Sequence, residues 1–187
     1  CLPEHVERLL QSCRIVRLPL SWSAAQLSQG IRDTIRACRL EACYIRPLVY
    51  RGYGALGVWP DDNPVEVAIA SFPWVRPNEE QLLANGLAVG VSSWRRMAPD
   101  TLPAMAKCGG NYASSLIAQY EGYDQGCSQV LFIQQTVERV DELGGMNVFL
   151  VTREGGLVSP ALEGTILHGV TRDSILAVGR SLGLPVE

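Results

Sequence analysis

Lysine is almost absent from this chain of 187 residues. Lysine and arginine together number 16, Lys107 is the only lysine, and the other 15 cations are arginines. An arginine serves for surface charge and ion pairing, but its guanidinium keeps its proton near neutral pH and cannot condense with a carbonyl. A chain that avoids the primary amine everywhere else and keeps one marks Lys107 as a candidate for chemistry. Histidine is nearly as scarce, with only His5 and His168, and the six cysteines at 1, 13, 38, 43, 108 and 127 contain no CxxC pair. That layout serves neither a zinc site nor a disulfide scaffold, so no metal is expected and free thiols in a reducing cytoplasm are. No apolar run approaches the roughly 18 residues of a membrane helix, and the first residues carry no signal-peptide pattern. The net charge of -3 argues against nucleic acid and anionic membranes as partners.

What is present is core-forming material. Hydrophobic residues make up 47% and charged residues 19%, a globular composition with enough chain for one domain or two small ones. Leu2 to Leu10 reads as a short helix. Ser23 reads as the N-cap of a longer helix through Arg39, with Leu27, Ile31, Ile35 and Cys38 at helical spacing. The period then changes to that of a strand over Cys43 to Tyr50, which places Tyr44, Arg46 and Leu48 on one face. Arg46 there is either a surface alternation or a carboxylate-binding group at a pocket edge. Gly52 to Pro64 is a loop by composition, and Val65 to Phe72 is a buried-type strand. Pro73 to Asn78 breaks the pattern and divides the chain into a small lobe over residues 1–76 and a larger one over 77–187. The order of elements implies a two-lobed α/β (α+β) fold with a ligand cleft between the lobes.

In the second lobe, Glu79 to Ala84 reads as a short helix and Leu87 to Trp94 as a strand. A helix over Tyr112 to Tyr120 is expected with Asn111 as its cap. Val130 to Ile133 is a strand, and Val137 to Gly145 an irregular approach to another over Asn147 to Thr152. Glu154 to Gly156 turns that strand into a hairpin with Leu157 to Ser159. Gly169, Val170 and Thr171 precede a helix over Arg172 to Leu182, whose apolar face is Ile175, Leu176, Val178 and Leu182. This start is either an ordinary N-cap or a phosphate site made of free backbone amides and the helix dipole.

Lys107 sits among Leu102, Ala104, Met105, Ala106 and Cys108. An ammonium held among such groups is desolvated, which favours the uncharged amine that can attack a carbonyl. Gly109 and Gly110 follow and permit a sharp turn and close approach of a ligand. The same residues are compatible with a snorkelling surface lysine beside a glycine turn.

Four segments share a further property. YIRPL at 44–48, KCGGNY at 107–112, DELGGMNVF at 141–149 and HGVTRDSIL at 168–176 stand in an order that resembles the branched-chain amino acid aminotransferases, members of the fold-type IV pyridoxal phosphate enzymes. The resemblance implies a two-lobed fold with the cofactor, pyridoxal 5'-phosphate, between the lobes. It implies transamination of leucine, isoleucine and valine with 2-oxoglutarate, giving branched-chain 2-oxo acids and glutamate, by a cytoplasmic homodimer acting in amino-acid biosynthesis.

Position by position, Lys107 matches the lysine that bonds to the cofactor and carries the substrate proton, and Glu142 the carboxylate that pairs with the pyridine nitrogen. Tyr112 matches the residue near the phenolic oxygen. Arg8, within HVERL, and the Val170–Thr171 turn match phosphate contacts. Tyr44 and Arg46 match substrate-pocket residues, and Trp74 an aromatic at the rim. Other enzymes of the fold type, the D-amino acid and (R)-amine transaminases and aminodeoxychorismate lyase, are the alternative activities, and a non-catalytic relative is a third. Against the family pattern the chain is expected to lack an N-terminal and a C-terminal segment. It also has short connections after Trp74, over Tyr120 to Gly126 and over Val137 to Asp141.

Overall fold

The computed structural model describes residues 1–59, 62–74, 79–134 and 138–187. The chain divides into two compact units, Cys1–Glu79 and Glu80–Glu187. The expected break over Pro73 to Asn78 lies largely outside the described residues.

The first unit is two helices on a two-stranded sheet. Helix α1 (Leu2–Ile15) runs five residues past the predicted end. No breaker intervenes, Ser12 and Cys13 are buried, and the Ser12 hydroxyl donates to the Arg8 carbonyl at 2.8 Å, which satisfies it inside the helix. The helix stops where Arg17 turns to φ 54 and Leu18 N–H reaches back to the Cys13 carbonyl at 2.8 Å, with Pro19 just beyond. Helix α2 (Ala24–Cys38) opens on a reciprocal capping box between Ser23 and Gln26.

Strands β1 (Tyr44–Arg51) and β2 (Val65–Phe72) pair antiparallel in the register Tyr44 with Phe72 through Arg51 with Val65. The period-2 alternation puts Ile45, Val67 and Ile69 against the Val6, Leu27 and Ile31 core of the two helices. Arg46 and Leu48 stay exposed. Helix α2 can approach β2 closely because residue 30 is glycine: a Cβ there would lie 3.0 Å from Ile69 Cδ1.

The second unit opens with a short helix, α3 (Glu79–Asn85), and is built on a three-stranded sheet ordered β3 (Val89–Val91), β4 (Gln129–Ile133), β5 (Val140–Leu143). Strands β3 and β4 are parallel and β5 is antiparallel to β4. Helix α4 (Ala113–Asp124) makes the crossover that a parallel pair requires. The strand expected over Leu87 to Trp94 shrinks to three residues because of a partner distant in sequence. Ser92 Oγ donates to Glu121 Oε2 at 2.6 Å and the Ser93 amide to Glu121 Oε1 at 3.1 Å, which takes the backbone out of the ladder. The helix predicted from Tyr112 begins at Ala113, after a 3-10 turn over Gly109–Tyr112.

The expected irregular stretch up to Gly145 contains the four-residue β5, whose register against β4 shifts between Leu131 and Ile133; its first residue, Val137, lies outside the described residues. A small hairpin of β6 (Leu150–Val151) and β7 (Leu157–Val158) follows. Helix α5 (Val170–Ser181) comes last. Its buried face is Val170, Arg172, Leu176 and Gly179, while Ile175, Val178 and Leu182 are exposed. The apolar face read from sequence is therefore wrong in three of its four members. Arg172 is inside because Nε donates to Ser159 Oγ and Nη2 to the Pro160 carbonyl, both at 3.0 Å. Among the described residues no helix is long and apolar enough to cross a membrane.

Helix α4 seats on β4 through Ala118, Val130 and Phe132 and through Gly122, where an added Cβ would lie 2.5 Å from Val130 Cγ1. Helix propensity favours alanine over glycine by about 1 kcal/mol, whereas an overlap in a packed core costs about 1–3 kcal/mol. The overlap should win, so Gly122→Ala is expected to lower the unfolding free energy in urea. An unchanged or raised midpoint would show that α4 can move off the sheet without cost.

Candidate active site

The loop carrying Lys107 is shaped by small residues and one amide. Ala104 and Ala106 are each 2% exposed and anchor it. The buried Asn111 side chain crosses the loop, donating from Nδ2 to the Pro103 carbonyl at 3.0 Å and the Ala106 carbonyl at 3.1 Å. Asn111 therefore does not provide the cap of α4 that the sequence predicts: it lies inside the 3-10 turn before the helix, and its Nδ2 closes the loop. Tyr112 occupies the helix N-cap position and supplies no side-chain cap.

Lys107 is exposed, and the dry surroundings expected for it are not there. Leu102 and Met105 are 48% and 42% exposed, so they cannot desolvate the ammonium. Its neighbours are polar and aromatic instead: Nζ donates to the Tyr112 hydroxyl at 2.7 Å and lies 5.0 Å from that ring's centroid. Gly145 makes room for the ring, since a Cβ there would lie 3.1 Å from Tyr112 Cε1. A pocket lined by Arg96, Ala104, Ala106, Asn111, Tyr112, Glu142, Gly145 and Leu167 joins this loop to the end of β5.

Asp141 and Glu142 are 5% and 3% exposed. The register of β5 against β4 shifts between Leu131–Leu143 and Ile133–Val140, so the two acids together stand opposite Phe132. Each is given donors. Thr165 Oγ1 donates to Asp141 Oδ1 at 2.8 Å. Glu142 Oε1 accepts from the Leu167 amide at 3.1 Å and from Asn147 Nδ2 at 3.2 Å, and Oε2 lies 3.2 Å from Arg96 Nη2. Burial pushes the Glu142 carboxyl above the ordinary carboxylate range, against the opposing pull of Arg96, the Leu167 amide and Lys107. Burial also raises Asp141, against its Thr165 hydrogen bond and Arg96.

The same groups tether the start of α5. Asn147 Nδ2 also donates to the Leu167 carbonyl at 3.0 Å, and its Oδ1 fills the space that any Cβ on Gly169 would need. Gly169 is the N-cap of α5 and offers no side chain to the helix amides. Val170 is buried and Thr171 exposed at that end.

Tyr112 and Glu142 thus line one pocket and Lys107 bonds to the Tyr112 hydroxyl, with Val170 and Thr171 at the end of a loop that Glu142 holds. Among the expected residues of the first unit, Tyr44 and Trp74 stack with centroids 5.0 Å apart, Phe72 lies 5.3 Å from Tyr44, and the Arg46 guanidinium sits 5.3 Å from the Tyr44 centroid. Arg8, half-buried on α1, places Nη2 3.3 Å from His5 Nδ1. Sequence reasoning missed Arg96, Asn147 and Asp141 as members of the Glu142 network. Two acids in a strand whose flanking residues are Val140 and Leu143 were the available signal that buried partners must exist.

The sequence pattern of the family described as amino-transferase class IV matches residues 1–187. The branched-chain-amino-acid aminotransferase of Salmonella typhimurium is 39% identical over 185 residues, covering 98% of this chain and 59% of that protein. The crystal structure of the Escherichia coli branched-chain amino acid aminotransferase superposes with a TM-score of 0.93 at 37% identity, covering all of this chain and 61% of the other. That of the Thermobaculum terrenum enzyme in its PLP-form gives 0.89 at 32% identity, again over all of this chain and 60% of the other. The chain therefore spans about three fifths of the length of these relatives.

The two raised acids make stability pH-dependent with a defined sign. A carboxyl whose folded pKa lies above its unfolded value binds its proton more tightly when folded, so its contribution is full below the unfolded value of about 4 and is lost as pH rises through the folded one. Asp141→Asn removes one of these titrations. Urea unfolding at steps from pH 4 to pH 8 is expected to show a shallower loss of stability in the variant than in the parent. Parallel curves would mean that Asp141 titrates alike in both states.

Proposed function

This chain belongs to the class IV aminotransferases, and from that premise we propose that it exchanges amino groups between leucine, isoleucine or valine and 2-oxoglutarate, using pyridoxal 5'-phosphate. The observation that carries the reading is that Tyr112 and the buried Glu142 line one pocket, while the chain's only primary-amine side chain, Lys107, donates to the Tyr112 hydroxyl at 2.7 Å. An amine, a phenol and a dry carboxylate suit the aldehyde, the phenolic oxygen and the ring nitrogen of this cofactor.

When bound, the cofactor supplies an electron-poor ring that accepts the electron pair left at the substrate α-carbon. Lys107 Nζ would hold the cofactor at its aldehyde carbon and, when free, would move the proton at the substrate α-carbon. The Tyr112 hydroxyl orients Nζ and would donate toward the phenolic oxygen. Glu142, as a buried carboxylate, would hold a proton at the ring nitrogen, because its negative charge favours the protonated ring. Phosphate falls to the uncapped amides of Val170 and Thr171 at the start of α5, where the helix dipole favours an anion. Arg46 is assigned to the substrate carboxylate, and Tyr44 and Trp74 to the apolar side chain. The branched-chain specificity is supported by the names of the relatives that this chain matches; a homodimeric state and a cytoplasmic, biosynthetic role belong to the same proposal.

Three measurements test the reading. Borohydride reduction of protein saturated with pyridoxal 5'-phosphate should leave a pyridoxyl adduct on the Lys107 peptide, and none in Lys107→Arg. Glutamate formation from leucine and 2-oxoglutarate should fall by about 100-fold or more in that variant, as loss of a proton-transferring group alone costs 10²–10⁴. An unmodified Lys107 peptide would refute the cofactor assignment. Turnover of D-alanine without turnover of leucine, isoleucine or valine would refute the substrate assignment.

A further inference from the structure

Beside the pocket lies a charged group to which the proposed function gives no part. Arg96 Nη2 is 3.2 Å from Glu142 Oε2, and the two side chains are 5% and 4% exposed. Arg96 does not reach Glu142 as a loose surface cation. Its Nη1 donates to Ser115 Oγ on α4 and its Nε to the Thr165 carbonyl in the loop before α5, both at 3.3 Å. Its guanidinium carbon lies 5.9 Å from the centroid of Phe132 on β4. Ser115 is fixed in turn, since its Oγ donates to the Gly144 carbonyl at 3.1 Å. The guanidinium is therefore held from three elements, with one edge presented to the acid.

Counting acceptor positions shows what this arrangement leaves free. A carboxylate can accept about four hydrogen bonds. The Leu167 amide and Asn147 occupy Oε1 and Arg96 occupies one position on Oε2, so one position remains for a donor arriving in the pocket. The charged and titratable groups that bear on Glu142 are Arg96, Lys107 and Asp141, with Tyr112 lining the same pocket. Asp141 opposes ionisation. Lys107 favours it, but its amine is committed to the cofactor once that is bound. Arg96 is then the permanent cation at Glu142, and a guanidinium does not lose its proton in proteins.

We infer that Arg96 is the positioning residue of this site: through its ion pair with Oε2 it keeps Glu142 an oriented carboxylate with one acceptor position open to a ring N–H. The inference rests on the assignment of Glu142 to the cofactor's ring nitrogen. A buried ion pair is seldom retained for stability, because an apolar replacement of similar volume is often as stable; the pair here fixes the charge and direction of the one group that the pocket needs ionised.

The test separates this inference from the cofactor assignment by reading the cofactor-free protein first. In infrared spectra at neutral pH, Glu142→Gln should remove no protonated-carboxyl band from the parent, but should remove one from Arg96→Met, where Glu142 has lost its cation and taken a proton. Loss of such a band from the parent would overturn the inference even if Arg96→Met did not fold. Pyridoxal 5'-phosphate titrations between pH 6.5 and 9.5 then follow. Glu142→Gln should weaken binding about tenfold or more at every pH, the scale of a lost charged hydrogen bond. Arg96→Met should match it near neutrality and recover toward the parent at high pH, and Arg96→Lys should follow the parent. The double variant Arg96→Met/Glu142→Gln should bind no more weakly than Glu142→Gln alone. Equal weakness of Arg96→Met at every pH, or multiplying losses in the double variant, would mean that Arg96 only supports the fold. Absence of cofactor binding by the parent would refute the cofactor assignment and leave the infrared result to decide the role of Arg96.

Discussion

The second unit is arranged around the problem of keeping an acid dry. Strand β5 carries Asp141 and Glu142 side by side at a shift of its register, and both are buried. Burying a carboxylate without partners costs far more than an ordinary hydrogen bond returns, so each oxygen must be met by a donor or keep its proton. The donors come from parts of the chain distant in sequence. Arg96 follows β3, Asn147 follows the turn after β5, and Thr165 and Leu167 lie just before α5. Their need to converge on two acids organises the loops, and the pocket is the space left at their meeting point.

The amine is held by a different principle. Lys107 lies on the outer side of a loop whose inner side is two alanines and an asparagine that closes it with two hydrogen bonds. Small anchors and a rigid bracket place the side chain without burying it. Its direction is set by the Tyr112 hydroxyl. One half of the site is therefore dry and fixed by charge, and the other is open and fixed by backbone. In the proposed function the acid would share a proton with a ring and gain from exclusion of water, whereas the amine would leave one bond for another and need room.

How much of this the chain declares before folding varies with the range of the interaction responsible. The cap at Ser23 and the alternation in β1 are local, and they were legible; β2, read as a buried-type strand, instead alternates and leaves Glu66, Ala68 and Ala70 exposed. The fold class followed from segments whose order alone is distinctive, and the same segments named Lys107, Tyr112 and Glu142 as candidates. What escaped was set by partners far away. The strand expected over Leu87 to Trp94 is cut short by Glu121, some thirty residues on. Leu102 and Met105 read as a dry wall for the lysine and turn outward. Nothing near Arg96 in the chain says that it will be buried against a carboxylate. Helix α5 misled for the same reason: its inward face carries an arginine whose partners, Ser159 and Pro160, lie on the preceding hairpin and loop.

Asn147 and Gly169 illustrate a consequence of such packing for how this chain can vary over time. The amide oxygen of one stands in the volume that any side chain on the other would require, so two short motifs some twenty positions apart are written as a single instruction. Neither can drift alone: a larger residue at 169 would evict the asparagine and with it a donor to Glu142, while a smaller one at 147 would leave the glycine without its reason. Recombined descendants that take these two motifs from different parents would inherit a mismatched lock.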